Sequence, residues 1–201
     1  MPVQIDYYIS LNSPWCHLGA ARIERMALAA DAMLRILPVD FGAIFSESGG
    51  LPLPRRAPQR QTYRLSELKR WRDHLGIPIV IQPKHFPANE VLSASCVIAV
   101  RESLGNPPAI KLAHAILKAV WEREMDPAEP TVLALLIKES GLDPNEIMAS
   151  GTKQRWADQR VNDTKAALER GVFGAPSYVI DGEIFWGQDR LEFVERKLAR
   201  D

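Results

Sequence analysis

The sequence predicts an α/β fold in which two strand-containing segments enclose a long helical block. Three observations lead to this prediction: residues 3–40 alternate strand, helix and strand patterns, residues 63–171 read almost wholly as helices, and residues 176–199 return to a β-hairpin followed by a helix. We therefore expect one α/β domain formed by residues 1–42 and 151–201, with an all-helical domain, residues 43–150, inserted between its halves.

The first segment has the pattern of a βαβ unit. Residues 3–9, VQIDYYI, form an apolar run typical of a strand, and residues 34–40, LRILPVD, form a second one. Between them a helix is expected to begin with Asn12 or Ser13 as its cap and Pro14 at its first position. Two strands joined by a helix over so short a distance pair in parallel.

The middle of the chain changes composition twice. Residues 46–62 are rich in Gly, Pro and Arg, so we expect an active-site loop that forms no regular core element. Apolar periodicity and Gly or Pro breaks then predict a series of helices at residues 63–75, 89–104, 108–125, 131–140, 143–149 and 151–170.

The end of the chain carries a strong hairpin signal. The runs PSYVI and EIFW are separated only by Asp181-Gly182, a pair that accepts the positive φ angles of a type I′ turn. A last helix is expected over residues 188–199, because Leu191, Val194 and Leu198 are spaced by helical turns.

Composition excludes several classes of function. Among 201 residues, 25 Lys and Arg balance 25 Asp and Glu, so no overall charge favours a nucleic-acid partner. No apolar stretch approaches the roughly 20 residues of a membrane span, and the N-terminus does not have the pattern of a signal peptide. Two cysteines make no disulfide framework, and four histidines show no metal-ligand spacing. We expect a cytoplasmic protein without a metal site.

Three segments together resemble a known family. They are SPWCHLG at residues 13–19, PKHFPANEV at 83–91 and GVFGAPSYVIDGEIFWGQDRLEFV at 171–194. The chain resembles, over nearly its whole length, the 2-hydroxychromene-2-carboxylate isomerases and the kappa-class glutathione transferases. The resemblance implies a thioredoxin-like βαβ…αββα fold with an inserted all-helical domain. It also implies a dimeric enzyme of aromatic hydrocarbon degradation that acts on a small aromatic molecule.

The implied activity is a glutathione-dependent cis–trans isomerisation. Its substrate would be 2-hydroxychromene-2-carboxylate or a similar aromatic enone carboxylate. The implied chemistry is reversible thiolate addition to a conjugated double bond, rotation of that bond and elimination. No electrons change hands, which fits a site without a redox pair of its own.

Ser13 is the candidate catalytic residue. Free N–H groups at a helix N-terminus favour an anion, and other thioredoxin-like enzymes place a cysteine at this position. A serine hydroxyl is a poor nucleophile without an adjacent base, but it can donate a hydrogen bond to a thiolate that a ligand brings. The resemblance implies that this ligand is glutathione. The simpler interpretation is that Ser13 only caps the helix, and both can be true.

The resemblance assigns glutathione contacts to the end of the chain. A cis bond before Pro176 would expose the Ala175 backbone to the cysteinyl part of glutathione, although Pro176 could simply begin a strand. Asp189 would pair with the γ-glutamyl ammonium and Gln188 would add a hydrogen bond. The alternative is that Asp189 only stabilises the first turn of the last helix.

The residues that would contact the substrate are less clearly indicated by the sequence. Family members line the substrate cavity near Asn89, which can also be explained as a helix cap, and Trp15 flanks the active turn, where packing is the default role. A basic residue is expected to meet a carboxylate of glutathione or substrate, and the sequence leaves open which of four this is: Arg55, Arg56, Arg60 or Lys84.

Three other functions stay open from the sequence. The first is a kappa-like glutathione transferase, which stops after thiolate attack. The second is a Ser-x-x-Cys thiol–disulfide oxidoreductase that uses Cys16, although burial of an inert Cys16 is the preferred interpretation. The third is a thioredoxin-like adaptor that binds peptides or glutathione without turnover.

Overall fold

The computed structural model describes residues 2–199. In this part of the chain four strands form a mixed sheet: β1 Gln4–Ile9, β2 Met33–Pro38, β3 Ser177–Ile180 and β4 Glu183–Trp186. The strand order is β2–β1–β3–β4, with β1 parallel to β2, and with β3 antiparallel to both β1 and β4. The thioredoxin-like architecture and the parallel pair predicted from the sequence are confirmed.

Helices account for most of the remaining chain. They are α1 Pro14–Ala29, α2 Phe41–Ser48, α3 Pro58–Leu75, α4 Val91–Leu104, α5 Asn106–Trp121, α6 Pro130–Glu139, α7 Pro144–Gly151, α8 Gln154–Glu169 and α9 Leu191–Leu198. Two single 3₁₀ turns, Leu53–Arg55 and Gln188–Arg190, precede α3 and α9. Helices α2 to α8 lie between β2 and β3 in the sequence, and the division into residues 1–42 with 151–201 and an insertion of residues 43–150 stays a prediction.

The C-terminal hairpin forms where the sequence predicts it. Asp181 and Gly182 have φ angles of 49° and 81°, and they connect β3 to β4 with Ile180 opposite Glu183. Positive φ at both central positions is the geometry that Asp-Gly favours, and its twist matches that of the flanking strands.

The prediction of an irregular segment over residues 46–62 is partly wrong. Helix α2 extends to Ser48, and α3 already begins at Pro58 rather than at residue 63. Helix α2 forms because the Asp40 carboxylate accepts hydrogen bonds from the first free N–H groups of the helix, and because Phe41 and Ile44 are buried. Pro58 suits the first position of α3, where no N–H is needed.

One apolar core joins the sheet to the inserted helices. Ile5 and Tyr7 of β1 belong to the same buried cluster as Val97 of α4, Leu112 of α5 and Trp121 at the end of α5. A smaller cluster lies elsewhere against the sheet, where residues of β1, β2 and β3 meet α2 and the end of α8. The strands and the inserted helices therefore bury their apolar surfaces against one another.

A buried ion pair adds a polar connection between the layers. Arg101 of α4 donates a hydrogen bond to the Ile36 carbonyl of β2 at 3.0 Å. The same guanidinium nitrogen lies 2.9 Å from a carboxylate oxygen of Asp163 on α8, within ion-pair distance but not aligned as a hydrogen bond. This contact connects α4 and α8 to the edge strand β2.

Candidate active site

The turn that opens α1 carries the Ser13 hydroxyl. Ser13 caps the helix, since its oxygen accepts the Cys16 N–H at 3.3 Å and its carbonyl accepts the His17 N–H at 3.1 Å. Within residues 2–199 the backbone N–H of Trp15 has no acceptor, and the Ser13 hydroxyl hydrogen meets only the buried Cys16 sulfur, a weak acceptor. The half-buried helix end therefore presents one unused backbone donor beside the Ser13 hydroxyl.

The Ala175–Pro176 bond is cis, as the resemblance implies, and it lies beside this turn. The pairing of β1 with β3 ends where Tyr8 lies opposite Ser177, and the same register continued by two residues places Ala175 beside Ser10. Within the described chain, the N–H and C=O of Ala175 have no hydrogen-bond partner. A free backbone edge thus adjoins the loop that leads into Ser13.

The turn before α9 is hydrogen-bonded both to the cis-proline segment and to α1. The Gly187 N–H donates to the Pro176 carbonyl at 2.8 Å. Gln188 is buried against Gly19 of α1, and Arg22 donates to its side-chain oxygen at 2.6 Å and to its carbonyl at 3.1 Å. The side-chain oxygen of Gln188 is therefore already engaged within the protein.

Asp189 follows in the same turn, but its side chain is accessible to a ligand, unlike that of Gln188. Its side chain is 42% exposed, and its nearest cation is Arg190 at 3.5 Å. An exposed pair of this kind contributes little to stability. The Asp189 carboxylate thus remains accessible to a cationic group of a ligand.

Cys16 does not have the properties of a reactive thiol. It is fully buried, and burial raises the pKa of its thiol to about 12, although the hydrogen bond with Ser13 acts in the opposite direction. His17, its neighbour, is also buried, with Nε2 3.0 Å from the Pro78 carbonyl, and burial lowers its pKa. Both side chains belong to the packing behind the turn.

A carboxylate that sequence reasoning missed holds the turn from the helical side. Glu90, only 16% exposed, accepts hydrogen bonds from the Ser10 hydroxyl at 2.9 Å and from the Asn12 N–H at 3.2 Å. Arg160 of α8 donates to its other oxygen at 2.7 Å. The Asn12 side chain exchanges two further hydrogen bonds with the Ala88 backbone. No sequence motif could reveal this network, because its partners are 70 to 80 residues from Glu90.

The predicted substrate-side residues are placed as follows. Asn89 is exposed, and its side-chain oxygen accepts the Val91 N–H at 3.0 Å, which is a capping contact at the start of α4. Trp15 is half-buried and packs on the main core. Of the four basic candidates, Arg56 is half-buried and donates to the Leu51 carbonyl, whereas the other three are exposed: Arg55, Arg60 and Lys84.

Two further features bear on the possible classes of ligand. Among residues 2–199, no group of three or more His, Cys, Asp or Glu side chains is arranged to hold a metal ion. In the same part of the chain, no helix has both the length and the apolar character that a membrane crossing requires.

Known proteins are similar to this chain over nearly its whole length. The chain is 27% identical to the 2-hydroxychromene-2-carboxylate isomerase of Pseudomonas putida over 201 residues, covering 98% of this chain and 94% of that protein. It is 27% identical to glutathione S-transferase kappa 1 of Homo sapiens over 216 residues, covering 99% and 92% of the two chains. A solved structure of a 2-hydroxychromene-2-carboxylate isomerase superimposes with a TM-score of 0.83 at 25% identity, covering 98% of this chain and 95% of that one.

These similarities confirm the resemblance that the three sequence segments indicated. The model of the DsbA-like thioredoxin domain matches residues 4–199, and the chain therefore belongs to the DsbA-like thioredoxin domain family.

Proposed function

We propose that this protein is a glutathione-dependent isomerase of 2-hydroxychromene-2-carboxylate or a similar aromatic enone carboxylate. The observation that carries the proposal is the N-terminus of α1, where within residues 2–199 the backbone N–H of Trp15 has no acceptor and the Ser13 hydroxyl meets only the weakly accepting Cys16 thiol. Such a helix end is suited to a sulfur anion, and the protein places no thiolate of its own there. The name of the Pseudomonas putida relative supports the choice of reaction.

The dimensions of the site fit glutathione. Gln188 lies against Gly19, which is six residues beyond Ser13, a distance of about 9 Å along a helix axis. An extended tripeptide spans about 10 Å, so one molecule can reach from Ser13 to the neighbouring Asp189. The Ser13 hydroxyl and the backbone N–H of Trp15 would hold the sulfur of glutathione. The free backbone of Ala175 would bind its cysteinyl peptide groups, and the Asp189 carboxylate would bind its ammonium group.

The protein's contribution to the reaction is electrostatic and positional. Bound glutathione supplies a thiolate nucleophile that can add to a conjugated double bond and leave again after rotation. The Ser13 O–H lowers the thiol pKa by donating to the anion, and the dipole of α1 adds to that effect. Cys16 does not compete for the same substrate carbon, because burial keeps its thiol protonated and inaccessible.

A kappa-like glutathione transferase is the second candidate, and the human relative favours it. It would use the same Ser13 site but would release a glutathione conjugate instead of an isomer. Product analysis by mass spectrometry distinguishes the two, since isomerisation leaves both the substrate mass and the glutathione concentration unchanged. The oxidoreductase alternative is disfavoured by the burial of Cys16.

The proposal is tested with Ser13→Ala in an isomerisation assay on 2-hydroxychromene-2-carboxylate with glutathione. Loss of a hydrogen bond to a charged group should lower kcat/KM roughly 10- to 100-fold. Loss of the cap should also lower the free energy of unfolding by about 1 kcal/mol. Both quantities are measured on the same preparations.

Asp143→Ala provides the matched control. Asp143 caps α7 through hydrogen bonds to the Asn145 and Glu146 N–H groups, so this variant loses a comparable cap away from the site. It should lose similar stability and keep wild-type kcat/KM. The proposal fails if Ser13→Ala retains full activity, or if the wild-type protein neither binds glutathione at millimolar concentration nor isomerises the substrate.

A further inference from the structure

Arg64 of α3 is a half-buried cation for which residues 2–199 provide no counter-ion. Its Cζ atom lies 5.0 Å from the centroid of the Phe86 ring and 5.8 Å from that of Trp121. Its Nη2 atom is buried and has no hydrogen-bond partner, and within residues 2–199 no carboxylate lies within ion-pair distance of the guanidinium. The buried guanidinium groups of Arg101 and Arg160 both have carboxylate partners. Buried charges are normally paired, so Arg64 requires an explanation.

A second unpaired donor lies in the same cluster. Trp121 is fully buried, and its indole N–H has no acceptor in the described chain. Arg56 is near enough to act electrostatically on Arg64, and it is also positive. Burial, with a smaller contribution from Arg56, lowers the pKa of Arg64 to about 10, so the group stays cationic at neutral pH. Beside the Phe86 ring, the Arg64 Nη2 and the Trp121 indole N–H are therefore two donors for which residues 2–199 provide no acceptor.

This cluster adjoins the candidate active site on the side of the inserted helices. Phe86 is two residues, or about 7 Å of chain, from Ala88. The Ala88 backbone exchanges hydrogen bonds of 2.8 and 2.9 Å with the side chain of Asn12, the residue before Ser13. The proposed glutathione contacts at Ala175 and Asp189 come instead from the segments around β3 and β4. The side of the site that the inserted helices form therefore remains for the aromatic substrate.

We propose that Arg64 binds the carboxylate of the aromatic substrate and that Phe86 provides an aromatic surface beside it. A planar guanidinium matches the two oxygens of a carboxylate, and a bound anion would supply the acceptor that Arg64 lacks. This assignment deepens the proposed function and rests on it. It selects a residue of α3 outside the four basic candidates that the sequence suggested.

The direct test is a binding measurement that needs no turnover. Calorimetry compares 2-naphthoate with its neutral analogue 2-naphthamide, in the presence of millimolar glutathione. The wild-type protein should bind the anion roughly tenfold or more tightly than the amide, as expected for a charged hydrogen bond. Arg64→Met should abolish that preference, and Arg64→Lys should retain part of it.

Lys69→Met is the matched control, because Lys69 is an exposed cation on the same helix. It makes the same change of net charge and should keep the preference for naphthoate. Unchanged circular dichroism and glutathione affinity would verify that Arg64→Met is folded. In turnover, Arg64→Met should raise KM for the chromene carboxylate roughly 10- to 100-fold with a much smaller effect on kcat.

The outcomes separate this inference from the proposed function. If the wild-type protein shows no preference for naphthoate, or if Arg64→Met keeps the preference and the wild-type KM, the assignment of Arg64 is wrong even when isomerisation is observed. If the preference depends on Arg64 but no isomerisation occurs, the carboxylate site stands and the proposed reaction is wrong.

Discussion

At Ser13, one hydroxyl group can perform two tasks because they use different atoms. Its oxygen accepts the Cys16 N–H and caps α1, while its hydrogen meets only the weakly accepting Cys16 thiol within residues 2–199 and can rotate toward a ligand. A serine hydroxyl is both donor and acceptor, so the structural and the proposed catalytic roles do not compete. This is why the two interpretations of Ser13 drawn from the sequence need not exclude each other.

The burial of Cys16 leads to a residue-level prediction. With a thiol pKa of about 12, only about one molecule in ten thousand carries the thiolate near pH 8. We expect iodoacetamide to leave Cys16 and Cys96 unmodified in the native protein and to alkylate both in guanidinium chloride, as read by peptide mass spectrometry. Rapid stoichiometric alkylation of native Cys16 would contradict this and would revive the oxidoreductase alternative.

Sequence reasoning selected candidate site residues through local chain geometry and family motifs. Ser13 follows from a cap and a proline at a helix start, and Pro176 and Asp189 were identified by family motifs. Glu90 and Arg64 were missed because their importance lies in partners that only the tertiary structure brings near. Nothing in the local sequence distinguishes Arg64 from the other arginines of the same region.

At the scale of elements, Glu90 holds the loop between β1 and α1 against two inserted helices. It precedes α4, accepts from Ser10 and Asn12 in the loop, and pairs with Arg160 of α8. The position of the turn that carries Ser13 therefore depends on α4 and α8. This dependence should appear in how stability changes with pH.

Burial raises the pKa of Glu90 above its ordinary value of 4.5, against the opposing effect of Arg160. The folded chain then holds the Glu90 proton more tightly than the unfolded chain does, so this contribution to stability declines as the pH rises through the raised pKa. We expect the unfolding free energy of the wild-type protein minus that of Glu90→Gln to decrease as the pH increases from about 4.5 to 7. Urea denaturation at a series of pH values measures it.

Glu139 offers a control of opposite sign. It is paired with Arg123 on the surface, and that hydrogen-bonded pair lowers its pKa. Its stabilising contribution is therefore present near neutral pH and is lost as the pH falls below 4.5. A wild-type minus Glu90→Gln difference that grows with pH, in the manner of Glu139→Gln, would show that Glu90 is held as a stabilised anion instead.

Elements with a local signal were predicted well, and those defined by tertiary packing were not. The Asp-Gly hairpin and the first βαβ unit follow from turn chemistry and apolar runs. Helix α2 was missed because it is only eight residues long and its glycine and serines resemble a loop. Its formation depends on the burial of Phe41 and Ile44 in the tertiary structure.

For the molecule as a whole, the shared core predicts cooperative unfolding. The same buried cluster contains residues of the sheet and of the inserted helices, so neither part retains its core when the other unfolds. We expect far-ultraviolet circular dichroism and tryptophan fluorescence to give coincident urea transitions. Trp121 lies in the cluster, whereas Trp186 reports on the edge of the sheet.

Single-tryptophan variants that retain only Trp121 or only Trp186 make the comparison specific. Equal midpoints would establish one unfolding unit despite the insertion. Two separated transitions would instead identify the inserted helices as a domain that folds by itself, along the boundary at residues 43–150 suggested by the sequence.

The spacing of Ser13 and Cys16 has an evolutionary consequence. Replacing Ser13 by cysteine would exchange one oxygen atom for sulfur. It would place an accessible thiol three residues before the buried thiol of Cys16, which is the spacing of a Cys-x-x-Cys redox couple. The site for disulfide exchange and the site for the proposed isomerisation would then differ only in the oxygen or sulfur atom at position 13, with the same backbone. Divergence between these chemistries within one lineage would require no rebuilding of the backbone.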